Sequence, residues 1–436
     1  MVAIEPRTLK GFRDFPPALA MAREHLVDTA RAVYRSYGFA PIDTPALEYA
    51  DVLLGKLDAD AEIQRQIYRF TDHGGRDVAL RFDLTVPFAR FAAQHVAQLG
   101  TPFKRYHVGS VWRGENTQAG RYREFLQCDF DTIGTTSNLA DIEVVLVVHD
   151  LFVALGFDRF CVRVSSRLVL AGVLDALGIA ERAPGILRSV DKLAKQGPDA
   201  VHAELVDKVG LEAKAAAAVL DLVGSDLDAV AVDFGGHPMV GDGVARLREL
   251  LAVAAAAGVP AHRLRIDLSI SRGLDYYTGT VLETFLDDLP TIGSVCSGGR
   301  YDDLAGLYTK QSLPGVGASL GLDRLLAAME ELGLVPTAAT PAPVFVARFP
   351  GTDVAELVRL GAEVRASGAG VELFPDERKL GVQLAYAEKR GFKVAVLVGP
   401  AEVIAGTVKV KDLGARTEAV VARAQVADEV RRICDG

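Results

Sequence analysis

Ten consecutive residues, Leu334-Val335-Pro336-Thr337-Ala338-Ala339-Thr340-Pro341-Ala342-Pro343, carry three prolines and no charge. Proline lacks a backbone donor and fixes its own φ, so such a run continues neither a helix nor a central strand. The chain therefore reads as at least two bodies joined by a proline-rich linker, residues 333–343.

Each side of the linker has its own periodicity. Pro16-Pro17 opens a helix in which Leu26, Ala30, Val33, Tyr34 and Tyr37 recur at helical spacing, ending at Gly38. From Val78 to about Gly134 the pattern changes to strand-like runs around Phe82, Tyr106 and Phe125, separated by polar turns. Residues 166–258 are rich in Ala, Leu and Val at helical spacing, after which strand-like runs return at 264–270, 280–285 and 294–296, and a helix follows at 320–331. This pattern implies one domain in two parts, 1–165 and 259–332, interrupted by a helical insertion, 166–258. Beyond the linker, apolar strands at 344–349, 371–374 and 394–398 alternate with helical segments at 354–366 and 380–390. Residues 344–436 are thus expected to form a small α/β domain with a largely parallel sheet.

Half of the 436 residues are apolar, which supports a substantial core, and the net charge of -9 gives no overall pull toward a polyanion. Any nucleic-acid contact has to be local. Cys128, Cys161, Cys296 and Cys434 form no CxxC pair, which argues against a zinc site or a disulfide framework and fits a reducing cytosol. The eight histidines form no HxxxH or HExxH, so no metal cage is implied. The N-terminus shows no basic region followed by an apolar run, and the Ala/Val-rich stretches are broken by charges, Gly or Pro; no signal peptide and no membrane span are expected.

The chemistry concentrates in a few segments. Trp112-Arg113-Gly114-Glu115 is followed by a polar loop and Arg121-Tyr122-Arg123-Glu124-Phe125. A carboxylate attacking an α-phosphate builds negative charge, and arginine offers a fixed planar guanidinium to stabilise it, which singles out Arg113. Pro314-Gly315-Val316-Gly317-Ala318-Ser319-Leu320-Gly321-Leu322-Asp323-Arg324 is a glycine-punctuated strand entering a helix, whose small residues would let a nucleotide lie close to the backbone. No GxxxxGK[ST] occurs anywhere, which excludes a Walker-type phosphate loop.

The first of these segments resembles motif 2 of the class II aminoacyl-tRNA synthetases and the second their motif 3, with Ser319 standing at a position that is glycine in the general pattern. Tyr37-Gly38-Phe39-Ala40-Pro41-Ile42-Asp43-Thr44-Pro45 resembles motif 1, the element of the class II dimer interface, although a helix stop followed by an extended segment matches it nearly as well. Three further segments are similar to those of the histidyl-tRNA synthetases: Phe82-Asp83-Leu84-Thr85-Val86-Pro87 as the amino-acid-binding strand, and Ser271-Arg272-Gly273-Leu274-Asp275-Tyr276-Tyr277-Thr278-Gly279 and Ser297-Gly298-Gly299-Arg300-Tyr301-Asp302 as the two histidine-specific signatures.

That resemblance implies an α+β fold: a class II catalytic domain on an antiparallel sheet with a helical insertion, followed by an α/β anticodon-binding domain. It implies an enzyme that activates L-histidine with ATP and transfers it to the 3′ end of tRNA(His), with Mg2+ accompanying the ATP phosphates. The implied ATP-binding residues are Glu115 and Phe125 on the adenine and Arg113, Arg121 and Arg324 on the phosphates. The implied histidine-binding residues are Asp83 and Thr85 on the α-amino group, Gln127 as a further contact to the amino acid, Asp131 and Tyr277 on the imidazole with Tyr276 beside them, and Arg272, which with Arg113 reaches the carboxylate and α-phosphate. Neutral imidazole has one donor and one acceptor, so a carboxylate and a phenol satisfy both of its edges. The family further implies a cytoplasmic homodimer. Two other readings use the same core: a non-catalytic regulatory subunit of histidine biosynthesis, and a sensor of uncharged tRNA. The first is disfavoured by Arg113, Glu115, Arg272 and Arg324 and by the module after the linker, the second by the lack of a kinase segment.

Overall fold

The computed structural model describes residues 4–55, 62–118, 120–270, 276–335 and 340–435. It divides into two units, Met1–Arg13 with His25–Leu332, and Asp14–Glu24 with Gly333–Gly436. Of the linker, residues 336–339 lie outside the described residues.

In the first unit the early strands are short: β1 (Ala40–Pro41), β2 (Leu47–Tyr49), β3 (Arg69–Thr71) and β4 (Asp77–Leu80). The last three make a small antiparallel sheet in the order β2-β4-β3. β1 joins a larger sheet with β5 (Phe103–Trp112), β6 (Glu124–Ile133), β7 (Phe160–Ser166), β8 (Leu264–Ile266), β9 (Thr280–Leu286), β10 (Cys296–Tyr301) and β11 (Gly315–Gly321). Its order is β1-β5-β6-β11-β10-β9-β7-β8, antiparallel from β5 through to β7 and parallel only at its two ends.

Alternation along β6 decides what each face does. Cys128 and Phe130 point to one side, where Phe130 packs 4.8 Å from the ring of Tyr34 and 5.4 Å from that of Phe39. Tyr34 lies on the helix Pro17–Ser36, one turn after Ala30 and two after Leu26; all three are buried, as the i, i+4, i+8 spacing requires. Gln127, Asp129 and Asp131 point to the other side.

The insertion is helical from Arg167–Ala176 to Pro238–Ala256. Its middle helices have their own core of Ile186, Val190, Val201, Leu205, Ala216 and Val219. The first and last helices approach closely through glycines, since a Cβ on Gly172 would meet Val240 and one on Gly243 would meet Val169. The chain leaves the sheet after β7 and returns as β8, which pairs parallel to β7 itself.

The second unit holds β12 (Val344–Ala347), β13 (Val371–Leu373), β14 (Val394–Leu397), β15 (Thr407–Asp412) and β16 (Thr417–Ala422), in the order β13-β12-β14-β15-β16. Val344, Val346, Val394 and Val396 face one layer with Leu357, Leu360 and Val430, while Phe345, Ala347, Ala395 and Leu397 face another with Phe374, Ala387 and Phe392. Strands buried on both faces read as unbroken apolar runs, which is why β12 and β14 stand out in the sequence. The sheet is less parallel than expected: β15 and β16 pair antiparallel at its edge. Their signal is the alternation of buried Val408 and Val410 with Lys409 and Lys411.

Candidate active site

Cross-strand register lines up three rows of residues on the free face of the large sheet. Arg105, Asp131, Gly317 and Gly299 form the first, His107, Asp129, Ser319 and Ser297 the second, and Gly109, Gln127 and Gly321 the third.

The first row floors a pocket of carboxyls and phenols. Nη2 of Arg105 lies 2.7 Å from Oδ2 of Asp131, and the hydroxyl of Tyr301 donates to Oδ1 at 2.5 Å. Burial pushes the Asp131 carboxyl up, with the Arg105 charge and the Tyr301 bond pulling it back. The glycines of motif 3 and of the second histidine signature act here by absence: a Cβ on Gly317 would collide with the Asp131 carboxylate, and one on Gly299 would stand 2.9 Å from the Tyr277 ring. For Gly317 this differs from the expectation that the small residues of motif 3 admit the nucleotide, whereas Ser319 and Gly321 do line the neighbouring cleft. Tyr276 stacks edge-on with Tyr277, centroids 5.1 Å apart, and its hydroxyl reaches Oδ2 of Asp83 at 3.3 Å and the side chain of Thr85.

Asp83 and Thr85 do not lie on a strand, as the resemblance implied. Phe82 to Leu84 is a turn, and Thr85–Leu99 is a helix whose first turn holds Pro87. Oδ1 of Asp83 accepts the backbone N–H of Val86 at 3.1 Å, so the carboxylate caps the helix and leaves Oδ2 for the pocket. Burial raises its pKa to about 6 against that bond and the charges of Arg113 and Arg105.

In the second row burial pushes Asp129 up to about 7, with Arg105 opposing and Asp131 adding to the rise. His107 goes the other way, to about 3, through burial and the charges of Arg105 and Arg81, so it is neutral near pH 7.

Beyond the third row opens a cleft lined by Arg113, Glu115, Arg121, Phe125, Gln127, Ser319 and Arg324, among others. Nε of Arg113 donates to the carbonyl of Phe82 at 2.9 Å and its guanidinium lies 5.2 Å from the Phe125 ring centroid. Glu115 stands between Arg113, at 3.8 Å, and Arg121, at 3.4 Å. Nη1 of Arg324 donates to the carbonyl of Ser294, and burial with the neighbouring Arg121 charge lowers its pKa to about 10. Three guanidiniums converging on one cleft make a local anion site on a chain whose net charge is -9.

Several contributors escape a reading of the sequence. Arg105 has the pattern of a solvent-facing strand residue; it is fully buried because its partners come from β6. Arg13 reaches Asp323 at 2.8 Å and Tyr122 at 3.1 Å, while Asp323 accepts the N–H of Leu126 at 2.7 Å, which ties the N-terminal segment to motifs 2 and 3. Arg300 of the second signature faces away from the pocket, paired with buried Asp141 and with Asp302. Arg272 lies outside the described residues.

Residues 11–325 match the family model described as histidyl-tRNA synthetase. The chain belongs to the histidyl-tRNA synthetase family. Residues 348–433 match the model of an anticodon binding domain. A histidine–tRNA ligase of Rhodopirellula baltica is 54% identical over 425 residues, 96% of each chain. The crystal structure of histidyl-tRNA synthetase from Nostoc sp. PCC 7120 superposes with a TM-score of 0.89 at 34% identity, covering 99% of this chain and 100% of that one. A Bacillus halodurans structure described as an ATP phosphoribosyltransferase regulatory subunit/histidyl-tRNA synthetase shares the fold at 23% identity and a TM-score of 0.72, over 88% of this chain and 97% of that one. That likeness is one of fold alone.

Proposed function

We propose that the chain charges tRNA with histidine. A carboxylate oxygen of L-histidine attacks the α-phosphorus of ATP and pyrophosphate leaves, giving histidyl-adenylate; the terminal 3′-OH of tRNA(His) then attacks the acyl carbon, and AMP leaves. One observation carries the reading: a cleft of three guanidiniums adjoins a pocket of buried carboxyls and phenols on one sheet face.

Arg113 sits to stabilise charge at the α-phosphate, with Arg121 and Arg324 toward the outer phosphates and Glu115 and Phe125 at the adenine. Asp83 and Thr85 hold the α-ammonium with Gln127, and Asp131 and Tyr277 take the imidazole. Arg272 reaches the carboxylate and α-phosphate. No side chain need become a covalent nucleophile, so positioning and preorganised charge supply the rate. Magnesium would come as the partner of the ATP phosphates, and Glu283, opposite Ser297 on β9 and near enough to offset the charge of Arg324, is the carboxylate that would face it from this sheet. Its chemistry is to neutralise phosphate charge.

Residues 344–436 receive the anticodon, and the insertion, whose surface cleft carries Arg182, Arg188, Lys192 and Lys208, receives the acceptor stem. The protein works as a cytoplasmic homodimer through motif 1 and the small sheet that follows it, where Leu47, Tyr49 and Phe70 are exposed. No helix among the described residues is long and apolar enough to cross a membrane.

ATP–pyrophosphate exchange run across the amino acids, followed by charging of tRNA, tests the assignment. Exchange dependent on histidine alone, with charging, is expected; histidine binding without exchange would transfer the chain to the regulatory reading. Light scattering of an active monomer would remove the dimer.

A further inference from the structure

Ser319, the departure from the general class II glycine, lies directly opposite Asp129 in the β6–β11 pairing. Its Oγ accepts a 3.0 Å hydrogen bond from Nε2 of Gln127, and the cross-strand pairing sets its hydroxyl beside the Asp129 carboxyl, the acceptor toward which its own proton can turn. Asp129 is 1% exposed. Its Oδ1 has no hydrogen-bond partner among the described residues, and neither has the buried Oε1 of Gln127. The three side chains form a relay with one direction, from the Gln127 amide through the serine to the carboxylate.

We propose that Asp129 and Ser319 are positioning residues that turn the amide of Gln127 so that its oxygen faces the amino acid, making the pocket read a hydrogen-bond donor of histidine at that point and not its carboxylate. This rests on the reading of Gln127 as a ligand of the amino acid. An amide turns over with little change of shape, and what it presents to a ligand depends on which end its neighbours engage. In its ionised form the Asp129 carboxylate has no proton to offer, so the serine then donates to it and is left to accept from Nε2. Arg105 holds Asp129 toward its ionised form, Asp131 and Asp83 oppose, and an incoming ammonium favours ionisation. Reversed, the amide would point N–H groups at a cation and leave its oxygen against the serine. Glycine at 319 would strand Nε2 of Gln127 and both oxygens of Asp129, so the serine and the aspartate belong together.

Exchange kinetics on the full chain test this. Ser319→Ala should raise KM for histidine about ten-fold, the scale of one lost hydrogen bond, and by clearly more than it changes KM for ATP. Ser319→Thr, which keeps the hydroxyl, should recover most of the loss. Adding Asp129→Asn to Ser319→Ala should change little more, because its route to the substrate is already cut. Histidinol, which keeps the ammonium and imidazole but lacks the carboxylate, should weaken as a competitive inhibitor by the same factor as histidine. Titrating active sites by the adenylate burst counts only folded enzyme. An unchanged histidine KM in Ser319→Ala, additive effects in the double variant, or unaltered histidinol binding would each overturn the proposal. Gln127→Ala separates the two layers: if it weakens histidine while Ser319→Ala does not, the relay fails alone, and if it leaves histidine binding intact, the reading of Gln127 fails as well.

Discussion

Arg105 and Asp131 meet at 2.7 Å between groups that are 0% and 3% exposed, with the Asp131 carboxyl raised by burial and drawn back by that guanidinium. Arg105→Met keeps the volume and removes the counter-charge, and should cost roughly 3–5 kcal/mol near pH 8. The pH dependence has a definite sign. Without Arg105 the folded pKa of Asp131 moves further above its unfolded value, so the folded variant binds its proton more tightly than the unfolded chain does. The deficit therefore grows as pH rises from about 4 toward the raised folded pKa. Denaturant melts at pH 5.5 and 8 should show the larger loss at pH 8; equal losses would mean that Asp131 does not ionise in the fold.

Gly317→Ala places a methyl group where the Asp131 carboxylate lies. Displacing that carboxylate by even an ångström should lower histidine-dependent exchange by about two orders of magnitude. Nucleotide binding, measured by titration with ATP, should change far less. A variant that lost ATP binding first would restore the expectation that this glycine serves the nucleotide.

Arg272→Ala should lower the rate of adenylate formation by roughly two to three orders of magnitude, the scale of one preorganised donor. Histidine affinity should fall far less, and Arg272→Lys should recover part of the loss because an ammonium lacks the planar fork. Transfer from preformed adenylate, after pyrophosphate has left, should be slowed less than its formation. Single-turnover measurement of both steps decides it, and equal slowing of the two would reject the role.

Gln383, fully buried in the second unit, accepts the N–H of Arg348 at 2.9 Å and donates to the carbonyls of Arg348 and Arg378 at 2.7 and 2.6 Å. It thereby ties the end of β12 to the charged loop after β13. Gln383→Leu strands three backbone groups and should destabilise that unit by about 2 kcal/mol or more. KM for tRNA should rise several-fold while exchange stays at the wild-type rate; a fall in exchange instead would mean that the loop serves the first step.

Elements with a strong hydrophobic period are legible in the amino-acid sequence. The helices Val354–Ala366 and Leu380–Arg390 stand where their spacing puts them, and β5 and β6 pair as the two arms on either side of the segment that holds Arg113, Glu115 and Arg121. Which face a polar residue takes is not legible in the same way. Arg300 and Tyr301 are neighbours in one signature, yet alternation sends the tyrosine to Asp131 and the arginine to Asp141, partners that lie far apart in sequence. Flanking Phe82 and Leu84 give Asp83 the pattern of a strand residue, and the proline two residues after Thr85 is the stronger signal, marking the first turn of a helix. The buried charges of Arg105, Asp129 and Asp131 are costly one at a time and supportable together, and a linear pattern presents them one at a time.

The parallel pairing of β7 with β8 makes the whole helical excursion a crossover between adjacent strands. The ladder fixes its two ends at opposite ends of the pair, Ser166 closing β7 and Leu264 standing opposite Val162 four residues back, about 14 Å apart whatever lies between them. Closing a longer loop costs only about 0.6 kcal/mol for each doubling of its length. The excursion is therefore free to lengthen, shrink or change its helices without moving Gln127, Ser319 or Arg113, several strands away. If the insertion meets the tRNA as proposed, change in that contact can accumulate there, away from the chemistry that names the amino acid.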